Sequence, residues 1–343
     1  MTVRIWTVII LYTMQERYPV PYSRITVPDT IIIHNPAAGH RNRLSDVEEV
    51  RDMLKGHGGR VELAVTSKTG DVTDTAEITR QALVGRFKKF VIAGGDGHIR
   101  EVAAVIAHTD GIMAILPIGS ENVIARAARI SSNLTAAGNT VLYGDVHLID
   151  TGLIDGERFV ANAGIGVHAD IFHGVQPFGK PKDGTGIVRY AKEAIDKLPR
   201  HRGSPALVIV DGEETFSDHL SEIIALNFPT LPIINRITNR RVLDGHVDDG
   251  YLDCFVATAE KPSDLVFPAV ATAITKRGNN TCRIVTCESI IVDFRTGKPV
   301  NAQADGDSLP GRTRHEIQDD PASLLLQVPY GENTIYQEPA VAA

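Results

Sequence analysis

The residues best suited to chemistry are Gly94, Gly95, Asp96 and Gly97, which directly follow the apolar run Phe90-Val91-Ile92-Ala93. Apolar residues then return at helical spacing, at Ile99, Val102, Ala103 and Ile106. The pattern reads as strand, glycine turn, helix. Glycines give the backbone angles closed to other residues and let a ligand approach the peptide groups. The helix that follows turns its free N–H groups and positive dipole end toward the same spot, which suits phosphate. Asp96 is the discordant residue. A carboxylate beside phosphate is repelled unless a cation stands between them, so Asp96 points to Mg²⁺, directly or through water. A tight turn with no ligand would use the same glycines, and a short glycine pattern is weak by itself.

Two other turns share this make-up. Asn35-Pro36-Ala37-Ala38-Gly39 follows the strand-like run 30–35, and Pro117 to Asn122, with Gly119 and Ser120, follows the run 112–116. Helical spacing occupies 44–54, 71–85 and Asn122 to Arg129, and 60–66 alternates as a strand does. Strands alternating with helices predict a doubly wound parallel sheet with ligands at the C-terminal strand ends. All three turns fall at such ends and can converge on one ligand.

From about residue 148 the texture changes. Runs of β character flank Asp155-Gly156 and Asp211-Gly212, and more lie at 221–227, 251–257, 283–286, 289–294 and 323–328. Asp-Gly between such runs predicts hairpins, and their succession predicts an antiparallel β-sandwich. The fold class is therefore α/β plus β. The expected divisions are an N-terminal extension (1–28), a nucleotide-binding α/β domain (29–147), a β-rich domain (148–330) and a flexible tail (331–343). On its own, Asp248-Asp249-Gly250 reads as one more hairpin turn.

The composition suits a soluble globular chain, with 43 % hydrophobic and 22 % charged residues. A net charge of −7 argues against nucleic acid as a partner. Cys254, Cys282 and Cys287 form no CxxC and no even framework. They fit a reducing cytoplasm, with the thiols in the core. No apolar stretch reaches the ~20 residues needed to span a bilayer, so any membrane contact is expected to be peripheral. Two segments could make it. Ile5 to Tyr12 is apolar and reads as an extra strand or a membrane-contact segment. Residues 178–202 are rich in Lys and Arg and read as a solvated helix or as a contact for anionic headgroups. Among apolar candidates for an acyl pocket, Phe172, Phe178, Phe228 and Ile233, none marks a specificity. Oligomeric state has no signature.

In their order, these turns resemble the diacylglycerol kinase catalytic family, which includes bacterial lipid kinases and sphingosine and ceramide kinases. The resemblance runs from about residue 30 to 330. It rests on Asn35 to Gly39, on Gly94 to Gly97 with Glu101-Val102, and on Leu116 to Asn122 with Ala125-Arg126. It continues through Asp150, Gly164-Ile165-Gly166, Asp248 to Asp253, and Gln303-Ala304-Asp305-Gly306-Asp307. The resemblance implies an ATP- and Mg²⁺-dependent lipid kinase acting on a hydroxyl of diacylglycerol or a related lipid at a membrane surface. It implies nucleotide contacts from Asn35, Gly94, Gly95, Asp96, Gly97, His98, Ser120 and Asn122. Asp96 and Asp150 would hold the Mg²⁺ on the phosphates, Asp305 would be the general base, and Asp249 with the Tyr251 carbonyl would form a structural Mg²⁺ site. Phosphoryl transfer is largely positioning and charge neutralisation, which such a cradle supplies.

Five positions depart from the family. His98 stands where Thr is usual, Arg100 where Asn is usual, Asp307 where Glu is usual, Val123 where many members have Asp, and Ala38 where the first turn usually has Ser. Imidazole could clash or swing aside. Arg100 could pair with phosphate, could mark a damaged site, or could point outward to Glu101. Two other functions therefore stand beside the lipid kinase: a catalytically weak relative that binds lipid or nucleotide, and an NAD kinase-like enzyme, for which no second Asn-Glu motif is found downstream.

Overall fold

The computed structural model describes residues 27–39, 41–67, 72–175, 192–193, 196–197, 200–228, 246–260 and 281–331. Ile5 to Tyr12, most of 178–202, Phe178, Ile233 and nearly all of the tail lie outside them.

Strands β1 (Thr30–His34), β3 (Lys89–Gly94) and β4 (Ile112–Pro117) are almost wholly buried. Their unbroken apolar sequence is what a strand covered on both faces requires. β2 (Val61–Val65) alternates because it is the edge. These strands lie parallel in the order β2-β1-β3-β4. Two helix pairs cover them: α1 (Leu44–Lys55) with α5 (Leu134–Tyr143), and α2 (Val72–Val84) with α3 (Asp96–Ile106). This is the doubly wound unit expected, and its strand ends carry the three turns.

The antiparallel half closes over a second core that includes Phe159, Ile165, Val208, Ile223, Val256, Ile290 and Ile317. Its strands run β15 (Arg314–Val328), β12 (Ser289–Phe294), β8 (Ser204–Val210), β9 (Glu213–Leu226), β7 (Asn162–Gly166), β13 (Val300–Ala304) and β14 (Asp307–Arg312). β10 (Leu252–Thr258) pairs with β9 and β11 (Cys282–Cys287). β5 (Asp145–Ile154) lies along β15 and pairs with β6 (Glu157–Phe159). Among the described residues the two halves form one hydrogen-bonded network of 15 strands. β15 joins them: Ser289 to Asp293 of β12 pair with its first half, while its Leu325 and Leu326 run parallel to Ile112 and Met113 of β4.

Among the described residues three hairpins turn on Asp-Gly with positive φ at both residues: Asp155 (53°) with Gly156 (87°), Asp211 (48°) with Gly212 (81°), and Asp305 (47°) with Gly306 (84°). That is the handedness a two-residue hairpin needs. In each, the carboxylate also staples the turn to a neighbouring strand. Asp155 Oδ1 accepts from Glu316 N at 3.0 Å, and Asp211 Oδ1 accepts from Glu288 N and Ser289 N at 3.0 and 2.8 Å.

Sequence periodicity misses α5, β13, β14 and α6 (Val167–Val175). α5 is LTAAGNTVLY, whose small residues let it close on α1; a methyl group on Gly138 would meet Met53 and Val50 side chains. The helix expected from Asn122 to Arg129 is shorter, at α4 (Val123–Ala127), because Asn122 and Arg129 both take left-handed angles, φ 49° and 58°.

The start of α6 has a buried acid. Glu222 Oε1 accepts from His168 N at 3.1 Å. Burial, with Asp170 adding to it, pushes Glu222 up to about 8, while burial pulls His168 down to about 4. The 4.0 Å approach of His168 Nδ1 to Glu222 Oε1 is therefore a contact of two neutral groups at pH 7, not an ion pair. An acid raised on folding holds its proton in the folded state after the unfolded chain has lost it. The fold should therefore lose stability as pH rises from about 4.5 through about 8. Glu222→Gln keeps an acceptor for His168 N, and thermal melts of this variant between pH 5 and 9 should show a flatter profile than the parent. Equal slopes would assign the dependence elsewhere.

Candidate active site

The three turns meet. Ile118 N and Gly119 N both donate to the Gly94 carbonyl, at 3.3 and 3.2 Å. A methyl group on Gly119 would stand 2.5 Å from Gly95 Cα. One on Gly39 would collide with the Ile118 carbonyl oxygen. Only glycine backbones allow this approach.

Side chains tie the turns further. Asn35 Oδ1 accepts from Ala37 N at 2.9 Å, and its amide nitrogen lies 3.1 Å from His98 Nδ1. His98 neither clashes nor swings away: it fills the space behind Gly94 and binds the first turn to the second. Asp96 Oδ1 accepts from Ile124 N at 3.0 Å, which caps α4 and links the second turn to the third. Asn122 donates to the Gly119 carbonyl at 2.8 Å, and its buried Oδ1 has no hydrogen-bond partner. Ser120 is exposed at the mouth. At the end of β2 the Thr66 hydroxyl is buried and likewise unpartnered. Sequence reading passed over it; a Thr that ends an alternating strand at the ligand edge was the available signal.

Across from these turns stands the third Asp-Gly hairpin. Asp305 Oδ2 accepts from Val160 N at 2.7 Å, and Oδ1 from Ala161 N and Asn162 N at 2.8 and 3.0 Å. It is 4 % exposed, whereas Asp211 is exposed and the Asp155 side chain, at 7 %, is buried much as Asp305 is. Burial pushes Asp305 up to about 6, opposed by the three amides and by the Arg100 charge. A carboxylate has about four acceptor positions, so three amides leave one to receive a proton.

The hairpin touches the glycine turn. A methyl group on Gly97 would lie 2.8 Å from Asp307 Oδ2. Arg100 Nη2, on α3, is 3.4 Å from Asp307 Oδ2 and 3.5 Å from Glu101 Oε1. Gly97, next to Asp96, thus meets Asp307, two residues beyond Asp305. Phe172 of α6 packs against Gly306 on its β side; Phe228, by contrast, is buried in the first core.

Asp150 and Asp249 stand together at a different loop. Asp150 Oδ2 accepts from Gly250 N at 2.8 Å and Oδ1 from Ala322 N at 2.6 Å. Each oxygen accepts one backbone amide, so Asp150 shapes the loop bearing Asp249 and Tyr251. Asp249 accepts from Tyr251 N at 3.1 Å and His246 N at 3.2 Å. Beside it Asp319 has both carboxylate oxygens buried without hydrogen-bond partners. Burial, then the charges of Asp150, Asp249 and Asp320, pushes Asp319 up to about 7. Asp249, Gly250, Tyr251, Glu288, Asp319 and Pro321 line a cavity of about 300 Å³. Orphaned carboxylate oxygens in an all-oxygen, acidic surrounding fit a hard divalent cation. Among the described residues no three His, Cys, Asp or Glu side chains are arranged to hold a metal ion. A cation would therefore need backbone carbonyls, such as that of Tyr251, and water.

The family model for the diacylglycerol kinase catalytic domain matches residues 29–154, which span the sheet and its three turns. The chain is 29 % identical over 185 residues to a diacylglycerol kinase of Bacillus subtilis, covering 53 % of this chain and 59 % of that one. It is 24 % identical over 289 residues to a diacylglycerol kinase of Staphylococcus saprophyticus, covering 82 % and 90 %. A crystal structure of a diacylglycerol kinase from Bacillus anthracis superposes with a TM-score of 0.64 at 18 % identity, over 88 % of this chain and 96 % of that one. At that identity the superposition establishes the fold.

Proposed function

We propose, for a chain whose residues 29–154 carry a diacylglycerol kinase-like catalytic domain, that it is an ATP-dependent lipid kinase phosphorylating a hydroxyl of diacylglycerol or a related lipid. The observation that carries this reading is the contact between the glycine turn and the Asp305 hairpin through Gly97 and Asp307, which sets a phosphate cradle against a buried carboxylate. The N–H groups opening α3 and the amides of Asn35 and Asn122 hold phosphate and nucleotide. Asp305 accepts the proton of the lipid hydroxyl as that oxygen bonds to the γ-phosphorus. The bond from that phosphorus to the β–γ bridging oxygen breaks, and ADP leaves with the electron pair. Mg²⁺ near Asp96 would neutralise phosphate charge, and a second cation at Asp249 and the Tyr251 carbonyl would brace the loop that Asp150 positions. The β-rich half carries the acceptor, and the protein meets its lipid peripherally in the cytoplasm. Among the described residues no helix is long and apolar enough to cross a membrane.

The test is transfer of radiolabel from [γ-³²P]ATP to a panel of lipids in detergent micelles, with NAD as a further acceptor. Label in diacylglycerol or a related lipid alcohol is the expected result. Label in NAD alone, or in nothing while ATP binds, would overturn it. The second of these outcomes is favoured by one observation: Asp155 and Asp211 use their carboxylates as staples too, so Asp305 could serve a nucleotide-binding protein in the same way.

A further inference from the structure

Arg100 is a cation in a place that needs a reason. It is 9 % exposed, yet Nε and Nη1 are buried with no hydrogen-bond partner. Among the described residues only Nη2 approaches carboxylates, Glu101 and Asp307, at 3.5 and 3.4 Å. Burying a guanidinium with most of its donors unfilled is costly. A shorter polar side chain would avoid that cost and fit the same helix.

The surroundings give the reason. Arg100 lies in the second turn of α3, the helix whose N-terminus closes the Gly94–Gly97 turn. Its anionic neighbour Asp307 overhangs Gly97. Beyond Asp307 in the same hairpin is Asp305, which feels the Arg100 charge. Glu101, on the same helix, is its second carboxylate contact. The guanidinium thus stands where the glycine turn and the Asp305 hairpin meet. Its unfilled N–H donors are buried at that junction.

We propose that Arg100 is a phosphoryl-binding residue supplied in cis: its free Nε and Nη1 donors take oxygens of the nucleotide's terminal phosphate, while Asp307 and Glu101 hold the side chain in place. This rests on the nucleotide reading above and deepens it. The planar fork of Arg matches phosphate oxygens in pairs, which a Lys or Asn at this position would not. It also gives a common cause to two of the unusual residues. Asp307, shorter than Glu, is the partner that a neighbouring arginine needs.

The consequence is selectivity for the third phosphate. Arg100→Asn should weaken ATP binding by about tenfold to a hundredfold, the range for a charge-assisted hydrogen bond, and ADP binding by less than about threefold. Arg100→Lys, which keeps the charge and loses the fork, should fall between. Calorimetric titration with Mg·ATP and Mg·ADP reads both, needs no lipid, and the ADP arm certifies that each variant is folded. Equal losses for ATP and ADP in Arg100→Asn would make Arg100 a general support of the fold and overturn the proposal. Unchanged ATP binding would overturn it as well. Should the parent protein bind neither nucleotide, the kinase reading itself falls and takes this proposal with it; a parent that binds both, with equal losses in the variant, refutes Arg100 alone.

Discussion

Asp305→Asn should reduce phosphoryl transfer by about a hundredfold to ten-thousandfold, the usual contribution of a positioned general base. Its ADP affinity should stay within about threefold of the parent. The substitution removes the group that can take a proton and leaves the three converging turns untouched. It also places an amide beside the N–H groups of Val160, Ala161 and Asn162, which now donate to the carboxylate. A loss of stability of about 1–3 kcal/mol is expected from that mismatch. Asp211→Asn is the control, because Asp211 staples a hairpin in the same manner but lies far along the chain from the crevice. It should lose stability and keep its turnover per folded molecule. The pH profile gives a second reading. With Asp305 at about 6, the base is protonated and inactive below that pH. The kcat/KM of the parent should therefore rise through about pH 6 and level off above it. A variant keeping more than a tenth of the parent rate would remove Asp305 from the chemistry and leave it a staple.

Gly119→Ala should abolish nucleotide binding at millimolar ATP. Its new methyl would stand 2.5 Å from Gly95 Cα and 3.3 Å from Gly95 N, both backbone atoms that cannot rotate aside. The second and third turns must separate, which breaks the pair of hydrogen bonds to the Gly94 carbonyl. Overpacking of this kind costs about 1–3 kcal/mol in stability. Because the shift occurs within the phosphate cradle, its effect on binding should exceed its effect on melting. Gly212→Ala separates the two causes. Gly212 has a positive φ of 81° but open space around it, so an added methyl there meets only backbone strain of about 1–2 kcal/mol. That variant should melt lower and bind ATP normally. Isothermal titration of both, beside their melting curves, distinguishes the cradle from general destabilisation. Normal ATP affinity in Gly119→Ala would mean that nucleotide does not lie across these turns.

The parallel sheet was readable because β1, β3 and β4 are buried on both faces and so have continuous apolar sequence. The three turns were readable because close approach of backbones admits only glycine, and that constraint is local. The hairpins at Asp155 and Asp211 followed from turn chemistry alone. What stayed hidden depends on contacts far apart in the chain. β13 and β14 alternate polar residues in a way that periodicity does not separate from loop. The junction of β15 with β4 joins residues 325–326 to 112–113, and no local pattern encodes it. The site was legible as a set of residues but not as a geometry. Asp150 is expected with Asp96 at the Mg²⁺; its hydrogen bonds to the Ala322 and Gly250 amides, at the loop of Asp249, have no local sequence signature. His98 and Arg100 looked like blemishes in the glycine motif. In three dimensions one ties Asn35 to the second turn and the other faces Asp307. Each departure finds its partner in a residue that sequence distance conceals.

The central claim is that one crevice, between the Gly94–Gly97 turn and the Asp305 hairpin, receives a nucleoside triphosphate with its terminal phosphate directed at the carboxylate. A crystal structure with Mg²⁺ and a non-hydrolysable ATP analogue measures this directly. The account predicts the phosphates against the N–H groups that open α3, with the γ-phosphate between Arg100 and Asp305. A nucleotide lodged elsewhere, or with its phosphates pointing away from that hairpin, would contradict it.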